Sequence, residues 1–274
     1  MKFPGFEREF STSYHSIRAE DLAKQIEEKY SSSLRLAQEA PAGSLRATGW
    51  PALQSGAEVG YQKFWGLHVR TEKPHGLTTP LLMDATVNQE DGYRFFYLLP
   101  WSSHELLAED TYYADGANLS ADSIRGEILN YLAKNNFGPL EILGEESGAL
   151  PLPFHEIGTV GPAAIGAAAG IFHPVTGYTV PHTLLQIEAY LAGNLGPTQA
   201  KVRAELKFYY FLNRMLFRSA GAAGRRKVLE RFYQLPEPLI QNFYAGKLSI
   251  GQKIRLLAGK PPVPVSAAIR EIFR

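Results

Sequence analysis

The stretch "YRFFYLLPWSSHELLAEDTYYAD", residues 93–115, holds two runs of aromatic and branched apolar residues on either side of a short polar segment. Runs of this composition and length predict two antiparallel β-strands joined by a turn. Two similar runs precede them, "YQKFWGLHVR" at 61–70 and "LLMDATV" at 81–87. Together the four runs predict an antiparallel meander.

Helices are predicted on both sides of this sheet. Ser16 precedes an amphipathic run and is expected to cap that helix, and Ser120 stands in the same position before residues 121–134, whose apolar side chains form one stripe. A strand-like piece at 141–153 then leads through an uncharged segment to a helix at 182–192. The whole pattern predicts an α/β fold, α+β-like in this chain.

Beyond Gly196 the chain changes to four helical stretches separated by glycine and proline. Residues 201–260 carry thirteen Lys or Arg and three Glu, although the net charge of the 274-residue chain is only +1. The aromatics of this region fall at helical spacing among leucines, which does not favour RNA binding. Two interpretations stay open: basic amphipathic helices that contact an anionic membrane, and helices that cover the domain core.

The composition excludes several kinds of site. The chain has no cysteine, so disulfides and thiolate catalysis are excluded. No two of its 25 glycines stand two residues apart, so the G-x-G-x-x-G dinucleotide motif is absent, as are a P-loop and a G-x-S-x-G elbow. His173 and His182 have no further ligand at metal spacing, and no metal site is expected.

Glu109 and Asp110 are adjacent acids inside the last predicted strand. Successive strand residues point to opposite faces, so the two carboxyls do not share one site unless a bulge intervenes. One interpretation has one acid in solvent and the other paired with an arginine such as Arg94. The other places a carboxyl in an apolar pocket, where desolvation raises its pKa and suits it to proton transfer. Asp84 is a second acid in an apolar strand, and such a lone residue is more often structural.

The segment "GAAAGIFHPVTGYTVP", residues 166–181, combines small residues and prolines just before a helix. Such a loop brings backbone N–H groups close to a phosphate or a flavin ring. A tight strand-to-helix connection without a ligand explains the same pattern.

These motifs occur together, and in this order, in bacterial lycopene β-cyclases, which the chain resembles from about Tyr61 onward. The matching stretches are "PHGLTTPLLMDATVNQEDGYRFFYLLP", "LLAEDTYYAD", "GAAAGIFHPVTGYTVP", "FLNRMLFR", "RFYQLPEPLIQNFYAGKLS" and "LAGKPPVPV". The resemblance implies an FAD-dependent hydroxylase-like architecture with an antiparallel substrate-domain sheet and a helical C-terminal region. The implied domains are a remnant of the FAD-binding domain at 1–60, the substrate domain at 61–150, a flavin-facing loop and helix at 151–196, and the basic helical region at 197–274.

The resemblance also implies roles for single residues. Glu109 matches the acid/base residue of these cyclases, and Asp84 matches another functionally important acid. The residues matching the flavin-contacting loop are Gly170, Pro174, Thr176, Gly177 and Tyr178. Nearby aromatics, namely Phe95, Phe96, Tyr112 and Tyr113, are expected to stabilise a carbocation by cation–π attraction.

The implied reaction is the non-redox cyclisation of lycopene and γ-carotene ends to β-rings, with reduced FAD and with NAD(P)H as the reductant. The expected location is cytoplasmic with peripheral membrane contact, without nucleic acid or metal. Relatives begin with a glycine-rich FAD-binding unit and are longer in the region matching 30–58, so we expect a truncated chain. The alternatives are a catalytically silent carotenoid- or membrane-binding fragment and another isoprenoid flavoprotein.

Overall fold

The computed structural model describes residues 1–37, 39, 41, 43–49, 57–159, 163–258 and 265–272. The motif "LAGKPPVPV" and the region 30–58 therefore lie partly outside the described residues. The described strands are β1 (Lys2–Phe3), β2 (Phe6–Glu7), β3 (Val59–Thr71), β4 (Leu81–Asp84), β5 (Tyr93–Pro100), β6 (Glu105–Ala114) and β7 (Leu140–Pro153). The described α-helices are α1 (Ala19–Tyr30), α2 (Ala121–Lys134), α3 (Val180–Leu191), α4 (Leu195–Arg214), α5 (Gly221–Phe232), α6 (Glu237–Tyr244), α7 (Ile250–Leu257) and α8 (Val265–Ile272).

The strands form one sheet in the order β2-β1-β4-β5-β6-β3-β7. Every pair is antiparallel except β1 with β4. The four predicted strands are confirmed, but the simple meander is wrong, because β3 pairs with β6 and β7 and not with β4. The 13 residues of β3 pair with two long strands, the 10 residues of β6 and the 14 of β7, whereas β4 has only four residues.

Each face of the sheet is covered by helices. Ile128 and Leu132 of α2 join one apolar cluster with Phe96 of β5. Phe95 of the same strand belongs to a second cluster, which includes residues of α4, α5 and α6 such as Tyr209. Successive side chains of β5 therefore pack into two different cores, one on each face of the sheet. The mixed α/β fold predicted from the sequence is confirmed.

The helices follow the predicted pattern with three differences. Arg18, not Ser16, is the N-cap of α1, so that part of the prediction is wrong. Ser120 does occupy the N-cap of α2, but its side chain accepts no capping hydrogen bond. The predicted helix around residue 215 is interrupted by a π-helical turn at Met215–Ser219, next to Asn213, whose amide donates to two carbonyls at the end of β7.

Every helix in the described ranges is too short or too polar to cross a bilayer.

Candidate functional site

Asp110 and Glu109 lie on opposite faces of the sheet, as strand alternation predicted. Asp110 stands opposite Phe96, and its fully buried carboxylate accepts hydrogen bonds from Arg94 Nε at 2.9 Å and Nη2 at 2.7 Å. The Tyr112 hydroxyl donates a further bond of 2.8 Å. Burial raises the pKa of Asp110, while Arg94 and Tyr112 oppose that rise. The predicted pairing of one acid with Arg94 is therefore confirmed: Asp110 forms a buried ion pair with Arg94.

Glu109 is half-buried on the other face, between Tyr97 of β5 and Gly66 of β3. The Thr111 hydroxyl donates to Glu109 Oε1. Burial raises the pKa of Glu109 to about 7, and the negative charges of Glu146 and Asp110 add to this rise while the Thr111 bond opposes it. A carboxyl with a pKa near 7 holds and releases a proton at neutral pH, which is what a general acid requires.

An apolar cavity of about 390 Å³ opens on the Glu109 face, and we call it the tyrosine cavity. Its aromatic walls are Phe10, Tyr14, Tyr97, Tyr178, Tyr233 and Tyr244. Tyr97 is the direct cross-strand neighbour of Glu109, and Glu109 raises the pKa of Tyr97, Tyr14 and Tyr178, although burial is the main cause for each. Glu109 therefore lies beside the wall of this cavity.

Two tyrosine hydroxyls of the cavity, those of Tyr233 and Tyr244, form a hydrogen bond with each other. Burial raises the pKa of Tyr244 to about 12, so its phenol is neutral. The cavity wall is thus rich in π faces and carries little charge. A smaller cavity of about 120 Å³ shares Tyr233 and Tyr244 with it and reaches Thr176.

The loop predicted to contact a flavin is a closed turn. The Gly177 N–H donates to the His173 carbonyl at 2.8 Å, and the His173 N–H donates to the Tyr178 carbonyl at 2.8 Å. Gly170 and Gly177 have positive φ, 66° and 71°, and a Cβ on Gly170 would lie 2.6 Å from the Ile157 carbonyl oxygen. These amides are satisfied within the loop, which agrees with the tight-connection interpretation.

The five predicted loop residues differ in exposure. Gly170, Pro174, Thr176 and Gly177 are buried, and Tyr178 is 42% exposed. Tyr178 lines the tyrosine cavity and Thr176 lines the smaller one. The structure therefore brings the loop and Glu109 to the same region, while the role of the loop in cofactor binding stays a prediction.

Asp84 is not brought together with Glu109. It stands opposite Phe96 at the end of β4, so it belongs to the α2 face. The Tyr131 hydroxyl donates to Asp84 Oδ2 at 2.7 Å, and the hydroxyl and N–H of Thr86 donate to Oδ1 at 2.6 Å and 3.0 Å. The Tyr131 bond joins β4 to α2. A catalytic role for Asp84 stays a prediction.

The buried histidine of the loop packs against an aromatic ring. Burial lowers the pKa of His173 to about 3, so its ring is neutral, and it packs edge-on against Tyr209 with 4.5 Å between ring centroids. Within the part of the chain that the structure describes, no three side chains of the ligating types come together.

The aromatics predicted to stabilise a cation are divided by the sheet. Phe95 and Tyr113 share the Glu109 face, whereas Phe96 and Tyr112 share the Asp110 face. Sequence reasoning missed Tyr97, although its two-residue spacing from Phe95 places it on the same face. It also missed Tyr233, Tyr244 and Glu146, which reach this region only through tertiary packing and the β3–β7 pairing.

The relatives found by sequence comparison are lycopene cyclases. A family model described as lycopene cyclase protein matches residues 40–270. A lycopene beta-cyclase of Paracoccus sp. (strain N81106 / MBIC 01143) is 41% identical over 77% of this chain and 59% of its own length. Those of Pantoea ananas and Pseudescherichia vulneris are 36% and 35% identical, over 100% and 98% of this chain and 80% and 78% of their own lengths.

Solved structures are more distant. A geranylgeranyl bacteriochlorophyll reductase-like protein from Thermoplasma acidophilum gives a TM-score of 0.40 at 10% identity, over 81% of this chain and 57% of that chain. A flavin-dependent brominase gives 0.45 at 16% identity, over 78% and 56%. TM-scores below 0.5 carry no functional conclusion.

Proposed function

The chain belongs to the lycopene cyclase family, and we propose that it closes β-rings on the ends of lycopene and γ-carotene by acid/base chemistry without net redox change. The observation that supports this reaction is a carboxyl with a pKa of about 7, Glu109, beside an apolar cavity walled by tyrosines. A polyene has no polar group to hydrogen-bond. The enzyme must therefore recognise the shape of the substrate and catalyse the reaction by placing a proton. A cavity of about 390 Å³ suits one end of such a molecule.

Glu109 acts as the general acid. Its protonated carboxyl adds a proton to the terminal double bond, the resulting tertiary cation is attacked by the neighbouring double bond, and the ring closes. Loss of one ring proton to a base then leaves the β-ring, so substrate and product contain the same number of hydrogens. A positioned acid of this kind contributes about a hundredfold to ten-thousandfold in rate.

The tyrosine rings stabilise the cation. Tyr97, Tyr178 and Tyr244 present aromatic surface to the cavity and have neutral phenols, because burial raises the pKa of each. A cation over a desolvated aromatic face gains about 1–2 kcal/mol. The rings and the acid thus serve successive stages of one reaction.

We also propose reduced FAD as the cofactor, with NAD(P)H as the reductant, from the resemblance at residues 166–181. Tyr178 and Pro181 of the loop border the tyrosine cavity, and Val175 and Thr176 border the smaller one. The exposed ring of Tyr178 and the side chain of Thr176 would hold the flavin ring. Gly170 and Gly177 permit the turn that presents them. When bound, a reduced flavin supplies an electron-rich ring. Titration of the purified chain with FAD, followed by flavin fluorescence, tests this binding, and an unchanged signal would contradict it.

The apolar substrate favours peripheral membrane contact on the cytoplasmic side. Helix α7 exposes Ile250 and Ile254, which are 79% and 63% exposed, next to Lys253 and Arg255. An apolar face bordered by cations suits an anionic bilayer surface. We propose α7 as a membrane-contacting element.

Substitution of the acid tests the reaction. In the chain supplied with lycopene, reduced FAD and liposomes, Glu109→Gln should abolish β-ring formation and preserve the fold, because glutamine keeps the size and loses the proton. Glu105→Gln is the matched control: Glu105 lies on the same strand and face, but Arg70 holds its pKa below the usual value. Full cyclisation by Glu109→Gln would refute the assignment, and binding without cyclisation by the native chain would favour the silent carotenoid-binding alternative.

A further inference from the structure

A second carboxyl, that of Glu146, lies in the same cross-strand row as Glu109. Gly66 of β3 pairs with Glu109 on one side and with Glu146 of β7 on the other, so the three residues form one row on one face. Gly66 has no side chain to separate the two acids. A Cβ placed there would lie 3.1 Å from Glu146 Cγ and 3.4 Å from Glu146 Oε1. The Glu146 side chain therefore lies over Gly66, in the space that another residue would fill.

We propose that Glu146 is a positioning residue of the acid, whose negative charge across Gly66 adds to the effect of burial in favouring the protonated form of Glu109. The proposal rests on the proposed role of Glu109 as the general acid, and it adds a residue that does not touch the substrate.

The two carboxyls differ in exposure. Glu146 is more exposed than Glu109, so we expect Glu146 to lose its proton first and its charge then to oppose the ionisation of Glu109. Both pKa values are raised, chiefly by burial, and Glu146 is the stronger of the two charges that raise the pKa of Glu109. Two carboxyls whose environments separate their pKa values are the usual arrangement for dividing acid and base roles.

Other groups act on this pair and must be held constant in any test. Glu20 of α1 raises the pKa of Glu146, and His68 of β3 lowers it. Around Glu109 the titratable and hydrogen-bonding neighbours are Asp110, Thr111, Tyr14, Tyr97 and Tyr178.

Gly66 is the feature that makes the coupling possible. The position that its Cβ would take is also 3.1 Å from Leu107 Cδ1, so an alanine has contacts on two sides. Gly66→Ala therefore requires the Glu146 or the Leu107 side chain to shift by a few tenths of an ångström. A shift of Glu146 away from Glu109 should lower the pKa of Glu109 in the same direction as removal of the Glu146 charge.

A titration of Glu109 itself tests the proposal. The 274-residue chain labelled with ¹³C at glutamate carboxyls gives the pKa of Glu109 by NMR, with Glu109→Gln identifying the signal. Glu146→Gln should lower that pKa by about half a unit to one unit, the size expected for unit charges several ångströms apart at a partly buried site.

Glu145→Gln is the matched control, because Glu145 is the adjacent residue on the opposite face, where it binds Trp65 Nε1 and Arg125. It should leave the pKa of Glu109 unchanged. A pKa unmoved by Glu146→Gln, or moved equally by both variants, would overturn the proposal. A native chain that shows the shift and does not cyclise lycopene would instead refute the proposed function and leave the coupling standing, because the titration needs no substrate.

Discussion

Arg94 donates three hydrogen bonds to Asp110, of 2.9 Å, 3.2 Å and 2.7 Å, on the face of the sheet opposite to Glu109. Both side chains are buried, 1% and 0% exposed. Removing one partner leaves an uncompensated charge in the core, which costs about 3–5 kcal/mol. Arg94→Met should therefore lower the free energy of unfolding by about that amount, measured by urea titration.

The control for this prediction is Arg70→Met, because Arg70 forms surface ion pairs with Glu105 and Glu141 and is half-exposed. Surface pairs contribute about 0–1 kcal/mol. Equal losses of unfolding free energy in the two variants would show that the buried pair stabilises the fold no more than a surface pair does.

The pH dependence of cyclisation should follow Glu109. The acid form donates the proton, so the rate is high below the pKa and falls as pH rises through about 7. Thr111→Val removes a hydrogen bond that lowers this pKa, and it should move the falling limb up by as much as about one pH unit. A limb that stays in place, or moves down, would contradict the assigned role of the Thr111 bond.

Tyr97 should contribute through its ring more than through its hydroxyl. Tyr97→Phe keeps the aromatic face beside Glu109 and is expected to retain most of the activity. Tyr97→Leu removes the face, and the loss of about 1–2 kcal/mol of cation stabilisation corresponds to about a fivefold to thirtyfold lower kcat. Steady-state assays of both variants measure kcat. Equal kcat values for Tyr97→Phe and Tyr97→Leu would argue against a cation–π role.

Membrane contact through α7 should depend on its two exposed isoleucines. Ile250→Glu combined with Ile254→Glu should abolish flotation with anionic liposomes, because charge replaces the inserted apolar face. Leu191→Glu is the control, since Leu191 is equally exposed, at 79%, on α3. Flotation of the α7 variant at the native level would place the membrane contact elsewhere.

Local pattern predicts the strands and the opposite orientation of Glu109 and Asp110, because alternation within a strand needs no tertiary information. The pairing of Asp110 with Arg94 was one of two open interpretations, and the pocket around Glu109 was the other. The structure contains both, since the two faces have different surroundings.

Pattern fails where an outcome depends on pairing between distant segments. The order β6-β3-β7 joins segments that are distant in the sequence, and only that order brings Gly66 between Glu109 and Glu146. Similarly, the predicted N-cap of α1, Ser16, lies two residues before the observed N-cap, Arg18. Arg18 takes the N-cap and binds Asp21 in the first turn, an interaction that cap preference alone does not weigh.

The tyrosine cavity is assembled from segments far apart in the chain. Arg8 donates to the carbonyls of Tyr233 and Leu235, which are 225 and 227 positions away, and Ser11 and Thr12 donate to Glu237. Contacts of this separation form after local ones. During synthesis, the strand that carries Glu109 is therefore complete long before Tyr233 and Tyr244 exist to enclose it. A nascent chain holds the acid early and acquires the cavity beside it only at the end.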